Sequence, residues 1–387
     1  MNRKILPLNR REFCRVAAVT GGLCASGGLG GVSDAVAQIG NAFVLRRATE
    51  LSSVEARFYE KLPDNEIVCK ICPRECRVGD MERGYCGTRE NRAGVYQTLV
   101  YGLPCAVNVD PIEKKPMFHY LPGTPAFSIA TAGCNVNCKF CQNWDISQFR
   151  PEQTNNMDLP PEQVVAGALR SDSAVIAYTY SEPIVFYEYM YDTARLGRER
   201  GLRSVMITSG HIQQQPLIEL CGMLDAIKVD LKSFSEKYYH EIVHGELQPV
   251  LDALVTIKKQ GLWLEIVYLV VPTLNDSERE FTELCRWILN ELGPEVPIHF
   301  TRFHPQYLLK NLPPTPLPTL ETACDIAVAT GLKYVYIGNV PGHRREHTYC
   351  GSCGKLVIGR YGFQITDFKI RDGLCENCHG RIPGVWS

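Results

Sequence analysis

The sequence predicts an α/β fold on parallel strands, either a barrel or an open doubly wound sheet, with a cysteine module on each side. Three observations lead there. Seven short apolar or β-branched runs recur: FSIATA (127–132), AVIAYTY (174–180), SVMITS (204–209), AIKVDL (226–231), WLEIVYLVV (263–271), IHFTRF (298–303) and YVYIG (334–338). Longer helix-patterned segments separate them, and such alternation means parallel strands joined by right-handed crossovers. Eleven of the 17 cysteines fall in three tight groups.

Taken in order, residues 39–104 form an N-terminal region with a cysteine module from about Cys69 to Gly94, and its stretch 41–62 reads as helical. The alternating region is 105–340. One of its helices starts at Pro160-Pro161 and carries Val164, Val165, Ala168 and Leu169 on one face. Another is PVLDALVTIKKQG, with Gly261 as C-cap. Residues 341–387 form a second cysteine module. The six scattered cysteines (Cys14, Cys24, Cys105, Cys221, Cys285, Cys324) read as small buried hydrophobes. A formal net charge of -1 gives no reason to expect a polyanion partner. No apolar run is long enough to span a bilayer.

Distinctive polar residues follow the strand-like runs one after another. They are the triplet Cys134, Cys138 and Cys141, then Ser181-Glu182-Pro183, Ser209-Gly210-His211, Asp230 with Lys232, Asn275-Asp276, and His304. In parallel barrels the C-terminal strand ends form the rim where active sites assemble. The triplet, within GCNVNCKFCQNW, offers three thiols and no fourth nearby. Zinc would need a further ligand, for which His119 or His211 are the spatial candidates. A [4Fe–4S] cluster on three thiolates would instead leave one iron open.

This C-x3-C-x2-C pattern, with Phe140 before the last cysteine, resembles that of the radical S-adenosylmethionine (SAM) superfamily. DPIEKKPMFHYLPGTPAFSIATAGCN (110–135) and CQNWDIS (141–147) are similar to pyruvate formate-lyase activase relatives, and more narrowly to the radical SAM member of the AmmeMemoRadiSam system. The resemblance implies a partial parallel (β/α)6-type barrel and a SAM amino and carboxylate group on the open iron. An electron then releases a 5′-deoxyadenosyl radical that abstracts hydrogen from a substrate. It gives roles to rim residues. Glu182, in Tyr180-Ser181-Glu182-Pro183, stands where the family has Gly-Gly-Glu-Pro and would bind the SAM ammonium, with Ser181 beside it. Asp230-Leu231-Lys232 resembles the Asp-x-Lys motif of glycyl-radical activating enzymes and would contact SAM and shape the substrate side. Ser209 would lie near the SAM methionine or ribose, and Asn275-Asp276 resembles a loop of the same group. His304 is a weaker SAM-site candidate. Implied partners are a flavodoxin or ferredoxin donor and Memo-like and AMMECR-like proteins.

Two four-cysteine modules flank this region. Cys69, Cys72, Cys76 and Cys86 suit zinc or a second cluster, and their spacing departs from ferredoxin loops. Cys350, Cys353, Cys375 and Cys378 read as a zinc ribbon acting as a lid or docking surface, without the basic patch of a nucleic-acid binder. Cys375-Glu-Asn-Cys378-His379 also matches a c-type haem attachment, which would strand Cys350 and Cys353.

Residues 1–38, with Arg10-Arg11, Phe13, a Gly-rich stretch and Ala35-Val36-Ala37, resemble a twin-arginine leader. Such a leader argues for export or membrane association, whereas SAM and low-potential electrons argue for the cytoplasm. Three function classes follow: a radical SAM enzyme acting on an unidentified substrate, an activase for a glycyl-radical protein, and a non-catalytic iron–sulfur or zinc protein.

Overall fold

The computed structural model describes residues 46–387. The leader-like stretch, Cys14 and Cys24 lie outside the described residues. Each of the seven apolar runs forms a strand of one eight-stranded sheet. In chain order these are β1 (Ala106–Pro111), β2 (Pro125–Ala130), β3 (Val175–Tyr178), β4 (Arg203–Thr208), β5 (Ala226–Asp230), β6 (Trp263–Val270), β7 (Ile298–Arg302) and β8 (Val335–Gly338). The strand order follows the chain, and only β1 runs antiparallel to its neighbour. The parallel part thus has one strand more than the six expected. Crossover helices α1 (Pro161–Arg170), α2 (Tyr187–Glu199), α3 (Gln214–Cys221), α4 (Gln248–Lys259), α5 (Glu278–Glu291) and α6 (Leu317–Thr330) separate β2 through β8.

Local signals account for the helix ends. Ser277 caps α5 by accepting the Glu280 N–H. Phe281, Leu284, Cys285 and Ile288 then line its buried stripe. On α1, Val164, Val165 and Ala168 are buried, but Leu169 is exposed, because it falls at the edge of the strip that meets the sheet. Gly261 follows α4 in the left-handed region, as a C′ glycine does.

Two apolar layers result. Residues pointing out of the sheet meet the helices. Residues pointing inward, including Ala126, Val175, Ala177, Val205 and Ala226, meet Ile112, Met117, Tyr120 and Leu121, which close the barrel floor. Glu265, low on β6, receives the backbone N–H groups of Phe118 and His119. The C-terminal tail joins this plug, where the Val385 N–H donates to the His119 carbonyl and Leu121 donates back.

The C-terminal module therefore sits at the floor. Arg360 reaches from its strand Leu356–Tyr361 to the Phe118 carbonyl and lies over the Phe118 ring. This corrects the lid expectation: the C-terminal module is anchored at the end of the sheet opposite the rim.

The helix expected over 41–62 does not form over the described residues 46–62. Short strands at Arg46–Arg47, Val54–Glu55 and Tyr59–Lys61 pair with Met157–Asp158, Val95–Thr98 and Ile67–Cys69. Their long-range ladders override the local pattern. Of the scattered cysteines, Cys221, Cys285 and Cys324 are buried and Cys105 is half-buried. Among the described residues no helix is long and apolar enough to cross a membrane.

Gly133 shows how closely the N-terminal module meets the barrel. Its φ is +92°, and an added Cβ would lie 2.4 Å from Thr88 Cγ2 and 2.7 Å from the Cys86 carbonyl oxygen. Gly133→Ala is expected to cost about 2–4 kcal/mol from the backbone strain and the clash together. A thermal melt showing no loss would contradict this close approach.

Candidate functional site

Cys134, Cys138 and Cys141 lie on the loop leaving β2 at the rim. Backbone bonds brace it from several sides: Asn137 and Lys139 donate to Val243 and Ile242, and the Leu308 N–H donates to Lys139. The Asn135 side chain donates to the His211 carbonyl at 2.7 Å. Burial pushes all three thiols up, Cys138 to about 12. Lys232 opposes this at Cys138 and Cys141. Ligation has to displace those protons, since the thiolate is the ligand. The three sulfurs are neighbours but do not close to single-ion spacing. A wide triplet with Cys138 buried, Cys134 and Cys141 half-buried, and no fourth cysteine on its loop suits a four-iron cluster bound through three irons.

The zinc alternative finds no support in the histidines. His119 lies in the floor, against the Pro383 carbonyl and the Tyr336 hydroxyl. His211 is near the triplet loop, with Nε2 on Glu246 and Nδ1 without a partner, but it does not gather with the three thiols at single-ion spacing.

Glu182 stands at the end of β3, buried and close enough to Cys134 for their charges to interact. Its carboxylate accepts from Thr208 Oγ1 at 2.6 Å and from the Ser209 N–H at 2.8 Å. Burial raises its pKa, and these donors oppose the rise. The Ser181 hydroxyl is turned to the Thr131 carbonyl at 2.8 Å. Ser209 thus contributes its backbone to Glu182, and its hydroxyl accepts from the His211 N–H.

Asp230 closes β5 between two ammonium groups, Lys228 and Lys232, the latter at 3.0 Å. Burial disfavours its charge, but the two lysines outweigh that and pull it down to about 2. Lys232 also lies 6.0 Å from the Phe140 ring centroid, and Cys138 helps raise its pKa. The depressed Asp230 value means its stabilisation is present above the ordinary 3.8 and fades as pH falls through about 2. Asp230→Asn should therefore cost about 2 kcal/mol at neutral pH and nothing below about pH 2. Equal stability of the two proteins at pH 7 in denaturant melts would refute the network.

Asn275 holds the rim together. Its Oδ1 accepts the Val271 N–H, and its Nδ2 donates to the carbonyls of Lys232 and Leu269. His304 follows β7, is exposed and makes no hydrogen bond among the described residues. Burial and Arg302 lower its pKa.

Sequence reasoning missed four polar residues, of which Lys228, Asp110 and Lys115 are buried and Tyr180 half-buried. Lys228 is a mid-strand lysine that only its inward register reveals. Asp110, Lys115 and Tyr180 form a second network, in which Lys115 reaches Asp110 at 2.5 Å and Tyr180 Oη at 3.3 Å. Burial pulls Lys115 down to about 8, against the Asp110 charge. Asp110 and Lys115 both belong to DPIEKKP, but their meeting with Tyr180 depends on the pairing of β1 with β2.

The C-terminal cysteines gather closely. Cys350 and Cys378 sulfurs are 3.6 Å apart, and those of Cys353 and Cys375 3.9 Å. A tetrahedral ion with bonds of about 2.3 Å sets edges of about 3.8 Å, so the four thiols fit one zinc-sized ion. N–H groups of Ser352, Asn377 and Gly380 donate to three of the sulfurs. Because Cys375 and Cys378 share this group with Cys350 and Cys353, the haem-attachment reading loses its basis. Among the described residues no other set of three or more Cys, His, Asp or Glu ligand atoms lies within 4.8 Å of one another.

The N-terminal module lies at the rim instead. Arg74 donates to the carbonyls of Asn135 and His244, and the Gln213 N–H donates to Ile71. Buried Arg89 pairs bidentately with Glu188 on α2, at 2.7 and 2.9 Å.

Comparison with known proteins gives this geometry a family. Residues 128–285 match the Radical SAM superfamily. An uncharacterized protein of Methanocaldococcus jannaschii is 46% identical over 333 residues, 86% of this chain and 99% of that one. The pyruvate formate-lyase-activating enzyme of Clostridium pasteurianum is 23% identical over 41% of this chain and 67% of its own length. A radical SAM methyltransferase structure from Sphaerobacter thermophilus aligns with TM-score 0.46 and 18% identity, over 61% of this chain and 71% of that one. The chain belongs to one family with the M. jannaschii protein and carries a radical SAM domain with homology to pyruvate formate-lyase activating enzymes.

Proposed function

We propose that the protein cleaves SAM reductively and uses the resulting radical to take a hydrogen atom from a substrate. One observation carries this reading: the triplet lies at the same rim as Glu182 and the Lys228–Asp230–Lys232 network, close enough for their charges to interact. When bound, a four-iron cluster supplies the single electron that splits SAM into methionine and a 5′-deoxyadenosyl radical. The chain's own groups do the positioning. Glu182, fixed by Thr208 and Ser209, accepts the SAM ammonium. Its burial keeps water from competing for that bond. Asp230 and Lys232 present one charge of each sign beside Cys138 and define the substrate side. Phe140 presents its ring to the Lys232 ammonium.

A second reading is favoured by the names of two relatives. Besides the Clostridium pasteurianum activase, the benzylsuccinate synthase activating enzyme of Thauera aromatica is 23% identical over 35% of this chain. Under it the substrate is a glycine in a partner protein. A flavodoxin or ferredoxin would supply the electron, and Memo-like and AMMECR-like proteins are the other proposed partners. Zinc is the ion proposed for the floor site. The twin-arginine-like leader would direct export, and N-terminal sequencing of the mature chain tests that.

The decisive experiment is anaerobic incubation of iron-reconstituted protein with dithionite and SAM. 5′-Deoxyadenosine should accumulate. None in the presence or absence of candidate substrates would sink the proposal.

A further inference from the structure

We propose that Cys69, Cys72, Cys76 and Cys86 hold a four-iron, four-sulfide cluster of their own, seated against the triplet at the rim, rather than a zinc ion. The contrast with the floor site carries this. All four floor thiols lie within 4.8 Å of one another, as one tetrahedral ion requires. The N-terminal thiols are mutual neighbours whose charges interact, yet no three of them close to that spacing. No S···S contact of the kind that joins Cys350 to Cys378 links any two of them. Two-iron clusters place two thiolates on each iron and would want such close pairs. A cube with one thiolate per iron spreads its ligands and fits better.

The surroundings point the same way. Cys69 and Cys72 are buried in the core, and Cys76 and Cys86 are half-buried. Cluster sulfurs take hydrogen bonds, and donors are ready here. The Tyr85 N–H donates to Cys76 Sγ at 3.5 Å, and the Thr88 hydroxyl is shared between Cys86 Sγ at 3.3 Å and the Val185 carbonyl at 3.2 Å. Arg89 is 1% exposed and lies within electrostatic reach of Cys69 and Cys86. Its terminal nitrogens go to Glu188, while its Nε–H has no partner. A buried guanidinium N–H without an acceptor costs about 1–3 kcal/mol, and a cluster sulfide would supply the acceptor. A zinc site would offer only its thiolates, which accept such bonds at the floor, whereas a cluster adds inorganic sulfurs.

The position suggests the use. The Cys86 carbonyl touches Gly133, the residue before Cys134. Tyr85, which donates to Cys76 and stacks under Arg74, also feels the charges of Cys134 and Cys138. A cluster here would take one electron from a low-potential donor protein and pass it toward the triplet, with no bond made or broken. This second part rests on the proposed function, whereas the metal assignment does not.

The test replaces the triplet and spares the N-terminal site. Full-length Cys134→Ser/Cys138→Ser/Cys141→Ser protein, reconstituted anaerobically with iron and sulfide, should keep about four irons against about eight in the parent. After dithionite reduction it should show an EPR signal that SAM leaves unchanged. Its zinc should stay at about one per chain, from the floor site. No iron above background with about two zincs would overturn the proposal. In the reciprocal protein, Cys72→Ser/Cys76→Ser, iron should halve while the SAM-sensitive signal persists. Iron unchanged there would equally overturn it. Stopped-flow reduction of the SAM-sensitive signal by a ferredoxin should slow at least ~10-fold in that protein. An unchanged rate would remove the relay and leave the cluster. Failure of the proposed function shows differently, as loss of SAM sensitivity with N-terminal iron retained.

Discussion

Glu182→Gln is expected to weaken SAM binding about 100- to 1000-fold while iron content stays at the parent level. The argument is electrostatic. Glu182 is buried at the end of β3, and its two oxygens are already set by Thr208 Oγ1 and the Ser209 N–H. Gln keeps the shape but removes the charge that an incoming ammonium needs. A charge-assisted hydrogen bond in a desolvated site is worth about 3–4 kcal/mol once the unpaired cation is counted. At 1.4 kcal/mol per decade, that gives the range stated. Titrating the SAM-induced change in the EPR spectrum measures it directly. Because the cluster thiols are untouched, iron content separates lost binding from lost assembly. A Kd within threefold of the parent would remove Glu182 from the SAM site. The pH dependence should also differ. Burial raises the Glu182 pKa, so parent binding should weaken as pH falls through that raised value, and the Gln variant should lack this limb.

Stripping the floor ion is the second large effect. Four thiols at tetrahedral spacing hold the strands Leu356–Tyr361 and Gln364–Phe368 to a core of Val357, Ile358, Ile370 and Ile382. That core is small for a module of this length, so an ion held by the four thiols would carry much of its folding energy. The loss spreads because the module does not stand alone. Arg360 caps the Phe118 carbonyl, and the tail through Val385 packs into the barrel floor. Cys375→Ser is expected to lower stability by about 4–6 kcal/mol and the melting temperature by about 10 °C or more. SAM cleavage measured well below that melting temperature should survive, because the rim lies at the other end. Calorimetry and 5′-deoxyadenosine yield check the two halves. A melting temperature within 2 °C of the parent would deny the site its structural part.

Much of the fold was legible because its signals are local. Each parallel strand carries its own β-branched run, and each crossover helix its own stripe and cap. The triplet was legible for the same reason, being one loop with all its ligands inside eight residues. Leu169 and residues 46–62 were misread where local pattern was all there was to read. Leu169 lies at the edge of the apolar stripe, and one position of helical rotation separates core from solvent. Strands of two or three residues carry too little periodicity to be seen until a distant partner supplies the ladder.

What the sequence alone determined about this protein is the chemistry available: three thiols on one loop, two sets of four, and a rim of polar strand ends. What only the tertiary structure decided is their arrangement. It set Cys69, Cys72, Cys76 and Cys86 against Gly133 at the rim and Cys350, Cys353, Cys375 and Cys378 beneath the floor. It paired Arg89 with Glu188 across 99 residues, and turned Lys228 inward to meet Asp230. The reason is physical. Which strand a residue occupies follows from short-range sterics and hydrophobic period. Which charges and thiols meet follows from register and crossovers that bring together segments far apart in the chain, and no local pattern encodes that distance.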